Sequence, residues 1–192
     1  MAISRRDHLL HTALKLFNEF GFHATGIDKV QAESGVSKTT MYKYFKSKDE
    51  LIQAVLELRH EQFGEWIRTK VDQYYQLNYL DQQAGKIYAI FDALNDWFYS
   101  DDFCGCNFIN ASAEFSELDH PIHRVATDHK KSLGQYVKDL LPEMSDSNKE
   151  ELSLEVCLLL DGAIVCAHTT GRKESAHRAK NMFKRLLPYY QN

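Results

Sequence analysis

Residues 34–45 read Ser34-Gly35-Val36-Ser37-Lys38-Thr39-Thr40-Met41-Tyr42-Lys43-Tyr44-Phe45, and this stretch decides the fold. Gly35 stands where a helix would end in the left-handed turn that glycine tolerates best. Ser37 then opens a second helix, through Phe45, because its hydroxyl can satisfy amides of the first turn that have no partner inside the helix. Upstream, Thr25-Gly26 starts a short helix carrying Ile27, Val30 and Ala32. A support helix, a tight turn and a second helix rich in small polar, basic and tyrosine residues are the parts of a helix-turn-helix.

Those residue types suit the major groove of a duplex. Lys38 and Lys43 neutralise phosphates, Thr39 and Thr40 meet base edges without bulk, and Tyr42 and Tyr44 offer hydroxyls to phosphate oxygens. The amides at the helix start, beside Ser37, favour an anion, and Lys48 supplies a cation from the next helix. Tyr42 and Phe45 read equally well as core residues, and Thr25 and Ser37 as plain helix caps.

Working outward, the first helix runs from Ser4, with Asp7 three residues on, to Gly21. Its apolar face is Leu9, Leu10, Ala13, Leu14, Leu16, Phe17 and Phe20. On the other side, Ser47-Lys48-Asp49-Glu50 is a capping box that begins a fourth helix. The pattern Leu51, Ile52, Val55, Leu56, Leu58, Phe63, Trp66 and Val71 then continues for about seven turns without a breaker. So long a helix is read as the connector between a head, residues 1–47, and a body, residues 48–192. Further helices are expected at about 81–99, 106–117, 121–140, 148–170 and 173–190, with Pro121 at a start and Gly171 at a stop. Strand-like alternation is missing, so the expected fold is all-α with about nine helices.

These residues carry a family resemblance. Ala13-Leu14-Lys15-Leu16-Phe17 through Gly21-Phe22, then Thr25, Ile27, the stretch 34–45 and Ser47-Lys48-Asp49-Glu50-Leu51 resemble the DNA-binding domain of TetR-family repressors. Thr39 and Thr40 stand where that family usually has Gly or Ala. The resemblance implies a three-helix DNA-binding head, a helical ligand-binding and dimerisation domain, and a homodimer on palindromic double-stranded operator DNA. It also implies that Thr25, Ser37, Tyr42 and Lys48 clamp phosphate while Lys38, Thr39, Thr40 and Lys43 face bases or nearby phosphate.

Composition agrees with a globular regulator. The 192 residues are 44% hydrophobic, 26% charged and 12% aromatic, with a formal net charge of −4. That balance argues against a protein that coats nucleic acid over its whole surface. Residues 1–50 hold eight Lys and Arg against six Asp and Glu, and the remainder fifteen against twenty-one, a basic head on an acidic body. Met1 to Asp7 have no signal-peptide core and no apolar run reaches 18 residues, so the chain reads as cytoplasmic and not membrane-bound, with its four cysteines as thiols.

In the body, Leu152 to Ala167 is apolar almost all round and is expected to be buried on every side. With the last helix, bearing Ala176, Ala179, Met182, Phe183, Leu186 and Leu187, it is read as a homodimer interface, Gly162 and Ala163 permitting close approach. A single monomeric core is the other reading. Phe103-Cys104-Gly105-Cys106-Asn107 puts thiols at the start of a helix, where the dipole favours thiolate and hence reaction with oxidants or electrophiles. One branch of the family shows Gly-Cys ahead of a helix followed by Ala-x-Glu, which Ala113-Glu114 echoes; Cys106 also reads as a small buried residue. Cys157 and Cys166 read as packing residues.

A cavity for a small apolar or aromatic ligand is expected among Trp66, Tyr88, Phe91, Trp97, Phe98, Phe108 and Phe115. His120, His123, His129 and His168 lack the spacing of a metal helix, and no cofactor or metal is expected. The alternatives to a ligand- or redox-responsive repressor are a cysteine-dependent redox enzyme and a helical protein-interaction module. The first lacks a base and an orienting partner at readable spacing, and no enzyme activity is expected.

Overall fold

The computed structural model describes residues 4–191, all of whose regular elements are helical. They are α1 (Arg5–Phe20), α2 (Ile27–Ser34), α3 (Lys38–Tyr44), α4 (Lys48–Asn78), α5 (Gly85–Tyr99), α6 (Asn107–Glu114), α7 (Pro121–Leu140), α8 (Asp146–Thr170) and α9 (Ser175–Leu186). A 3-10 turn, Leu187–Tyr190, follows α9, with Pro188 unable to continue that helix.

Four helix starts and two helix ends have a plain chemical reason. Ser4, Ser37, Ser47 and Ser145 accept the third amide downstream of themselves, at 3.1–3.2 Å. Gly35 and Gly171 end α2 and α8 at φ +65° and +68°, the left-handed region in which a side chain would be strained.

Two compact units emerge, one of Met1–Phe63 with Asn107–His129 and one of Gly64–Cys106 with Lys130–Asn192. Helices α4 and α7 contribute residues to both. In the first unit, one face of α1 buries Leu9, Leu10, Ala13, Leu14, Leu16 and Phe17, and α4 buries Leu51, Ile52, Val55 and Leu56. Phe22, Val30, Met41 and Phe45 join this core, in which each large side chain contributes about 1.5–3 kcal/mol.

In the second unit α5 buries ten residues, including Ile87, Ile90, Phe91, Leu94 and Phe98, against α8 and α9. Asp92 and Asp96, one turn apart on α5, each gather a tyrosine and a lysine. Tyr74 donates to Asp96 at 2.7 Å beside Lys70 at 3.2 Å. Tyr79 and Lys180 each donate to Asp92 at 2.5 Å. Burial and its carboxylate push the Tyr74 phenol up to about 12.

The helix expected to be buried all round is not. One face of α8 packs inward through Leu152, Val156, Leu160, Ala163, Ile164 and Ala167, but Leu154, Leu158, Val165 and Cys166 are exposed in the single chain. A side chain at Gly162 would meet nothing within 4 Å. Cys166 is therefore not a packing residue within this chain. By length and composition α8 also passes for a membrane span, 39% of its apolar window being buried. Glu155 and Asp161 interrupt its apolar run, as the sequence reading has it, and the core helix of a globular chain passes the same test.

Candidate nucleic-acid interface

Helix α3 is anchored by one residue. Met41 is 1% exposed, while Lys38, Thr39, Tyr42, Lys43 and Tyr44 face outward and Thr40 is half-buried. Ser37 fixes the start of the helix, accepting the Thr40 amide at 3.2 Å and sharing a hydrogen bond with the Thr40 hydroxyl at 2.9 Å. Gly35 turns α2 into α3, and the His8 ring donates to the Ser34 carbonyl at 3.0 Å, tying α1 to that turn. Phe45 caps α3 as a core residue and Tyr42 is 44% exposed, so the two aromatics that read alike in sequence part company.

The cations of this face are individually placed. Lys38 pairs with Asp28 at 2.9 Å, and that hydrogen bond holds its ammonium above the usual lysine range. Lys48 donates to the His23 carbonyl at 3.0 Å. Two further basic residues escaped the sequence reading. The Arg6 guanidinium lies 5.3 Å over the Phe45 ring, and exposed Lys46 has its amide held by Glu50 at 2.7 Å.

Thr25 departs from its expected phosphate role. Its side chain is fully buried, and its hydroxyl lies 2.7 Å from the Gly21 carbonyl and 3.2 Å from that of Leu16. It braces the α1–α2 turn from inside.

That turn is completed by a residue ninety positions away. Glu114, the last residue of α6, accepts the Phe22 amide at 2.9 Å and the His23 amide at 2.6 Å. The His23 ring donates to the Glu114 carbonyl at 2.9 Å, which places its proton on Nε2. Gly21, at φ +83°, makes room: a Cβ there would stand 3.0 Å from the Glu114 carboxylate. At the other end of α6, buried Asn107 donates to Asn18 of α1.

The expected sensor residues fall into separate groups. Cys106 is buried and Cys104 half-buried, flanking Gly105 at φ +84°. Only glycine fits there, since a Cβ would lie 2.8 Å from the His168 ring. Nearby rings form one chain, Trp66 to Trp97 at 6.3 Å and both Trp97 and Phe98 to Phe103 at 5.0 Å. Tyr88 and Phe91 instead pack on Phe183 at 5.6 and 6.1 Å. Phe108 and Phe115 belong to the first unit, Phe108 stacked on His129 at 3.5 Å and Phe115 between His23 and His120 at 4.6 and 4.9 Å. Burial and the Asp161 carboxylate push the Cys157 thiol up to about 11, leaving it unreactive near neutrality.

A family model described as bacterial regulatory proteins, tetR family, matches residues 9–55, which hold most of α1, all of α2 and α3, and the start of α4. Over the whole fold, the crystal structure of SCO4454, a TetR-family transcriptional regulator from Streptomyces coelicolor, superposes with a TM-score of 0.84 at 28% identity. It covers 98% of this chain and 96% of that one.

Residues 9–55 match the tetR family, and the whole fold is that of a TetR-family transcriptional regulator.

The chain is 22% identical over 160 residues to the HTH-type transcriptional regulator YjdC of Escherichia coli, spanning 83% of this chain and 81% of that protein. Likeness is denser in the head. The HTH-type transcriptional activator FasR of Mycolicibacterium smegmatis is 46% identical over 56 residues, which are 29% of this chain and 25% of FasR. Glu114 and Asn107, which complete the head here, lie outside the matched residues 9–55.

Proposed function

We propose that this TetR-family regulator represses transcription by holding a palindromic DNA operator as a homodimer, and releases it when a small apolar or aromatic ligand binds or Cys104 or Cys106 is modified. In this reading residues 1–47 grip DNA and residues 48–192 sense and pair. The carrying observation is the outward face of α3, where only Met41 is spent on the core. Ser37, Tyr42, Tyr44 and Lys48 take phosphate; Lys38, Thr39, Thr40 and Lys43 face bases and nearby phosphate.

Palindrome binding needs two heads about one helical turn of DNA apart, hence a second copy. Exposed Leu154, Leu158 and Val165 on α8 and Met182 on α9 support pairing through the last two helices. Helix α4 runs unbroken from Lys48 to Asn78, which gives displacement in the body a stiff route to α3. Acting on operator DNA, the protein works in the cytoplasm.

Footprinting on the DNA flanking its own gene, with and without N-ethylmaleimide, tests the reading. A protected palindrome that disappears on treatment and persists in Cys106→Ser is the expected result. Absence of any protected palindrome overturns DNA regulation, and protection untouched by maleimide in the wild type overturns the thiol route.

A further inference from the structure

We propose that Glu114 is a positioning residue for operator binding: through the His23 peptide it aims the Lys48 ammonium at the DNA backbone. The inference rests on Lys48 being a phosphate contact, as argued above. It extends the DNA-binding machinery to a residue that never touches DNA.

The relay is continuous in hydrogen bonds. The Glu114 carboxylate accepts the His23 amide at 2.6 Å, and the carbonyl of His23 accepts Lys48 Nζ at 3.0 Å. A negative group on one side and a positive group on the other therefore hold one residue's backbone, each by a charge-assisted bond of the stronger kind. The second Glu114 oxygen takes the Phe22 amide at 2.9 Å, so the carboxylate has no rotational freedom to release one bond and keep the other.

Neighbouring contacts fix the same segment. Phe22 is 1% exposed and packs on Phe17 at 5.2 Å, the His23 ring lies on Phe115 at 4.6 Å, and buried Thr25 holds the Gly21 carbonyl. Five polar backbone groups of the turn are thus paired: Gly21 N–H on Phe17, Phe22 and His23 N–H on Glu114, and the carbonyls of Gly21 and His23 on Thr25 and Lys48. Without Glu114, two adjacent amides lose their acceptor, and the carbonyl that orients Lys48 is freed to turn.

The sign of the effect separates positioning from simple electrostatics. Glu114 is an anion in the unit that bears α3, so removing it would tighten DNA binding if charge alone mattered. Positioning predicts the reverse.

The test uses the full-length protein and a duplex that the wild type enriches from a random-sequence pool, with affinity read by fluorescence anisotropy. Glu114→Ala is expected to weaken binding about tenfold, the equivalent of 1.4 kcal/mol. Glu114→Gln, which keeps the shape and one acceptor, falls between it and the wild type. Lys48→Met weakens binding, and adding Glu114→Ala to it costs no more, because the two act as one unit. Hydrogen exchange at the Phe22 and His23 amides quickens in Glu114→Ala. If that variant does not fold by circular dichroism, the same cycle run with Glu114→Gln, alone and combined with Lys48→Met, decides.

Equal or tighter binding by the Glu114 variants, or losses that multiply with Lys48→Met, overturns the positioning role and leaves the regulator reading intact. A wild type that enriches no duplex overturns both.

Discussion

Lys38 and Asp28 meet in an exposed ion pair 2.9 Å long, so the first cation of α3 is already held by a carboxylate of α2. A phosphate approaching α3 competes with Asp28 for that ammonium. Replacing Asp28→Asn frees Lys38 and removes a repelling charge. The operator should then bind about threefold more tightly, with a salt dependence steeper by about one unit. Anisotropy titrations between low and moderate salt check this; weaker binding would mean that the pair orients Lys38 rather than occupying it.

Thr39 and Thr40 should separate by role. Thr40 is half-buried and bonded to Ser37, whereas Thr39 is exposed and has no side-chain hydrogen bond among the described residues. Thr39→Ala is expected to change base preference at one operator position, a cost of about 1 kcal/mol, with the melting temperature unmoved. Thr40→Val should lower stability by about 1 kcal/mol and change base preference less than Thr39→Ala does. Selection from a random duplex pool, paired with thermal melts, distinguishes the two.

Leu158 is 73% exposed in the single chain, so Leu158→Asp removes nothing from the chain's own core. Light scattering should nevertheless show the mass falling from two copies to one, with palindrome binding lost alongside. Exposed Cys166, eight residues on, should react faster with maleimide in the variant than in the wild type. Retention of the dimer would place pairing on another surface.

The Asp92 site makes a pH prediction. Burial opposes the Lys180 charge, but the Asp92 carboxylate and Tyr79 hydroxyl outweigh it and hold the ammonium above its ordinary 10.5. Burial and Asp92 raise the Tyr79 phenol above 10.0. Both groups bind their protons more tightly when folded. Their stabilisation is therefore complete below about pH 10 and is lost as pH climbs through the raised folded values. Urea melts from pH 7 to 11.5 should be flat and then fall, and Lys180→Met should cost about 3 kcal/mol at pH 7 by leaving Asp92 without its cation. An equally steep alkaline fall in a Lys180→Met, Tyr79→Phe double variant would assign the effect elsewhere.

The local parts of the architecture were legible. Serine caps at 4, 37 and 47, glycine stops at 35 and 171, and the period of the α1 face are short-range signals, and each element sits close to where they place it. What stayed hidden was long-range. Nothing near Phe22 or His23 announces that their amides will find Glu114, and nothing near Lys38 announces Asp28 ten positions earlier. Thr25 read as a surface hydroxyl because a threonine before a helix satisfies the cap pattern whether it faces in or out. Helix α8 read as wholly buried because periodicity reports that a face is apolar, not which molecule covers it. Aromatic composition carries no information about neighbours: within their own units Phe108 and Phe115 lie against histidines, and Tyr88 and Phe91 against Phe183.

The compact unit that carries α3 draws in Asn107–His129. Here a transplant of residues 1–47 alone would arrive with the Phe22 and His23 amides bare unless the recipient presents a carboxylate at the same point. The exchangeable part of this protein is discontinuous in sequence, and hybrids that carry the α6 segment with the head should keep the donor's operator preference where simple terminal swaps lose it.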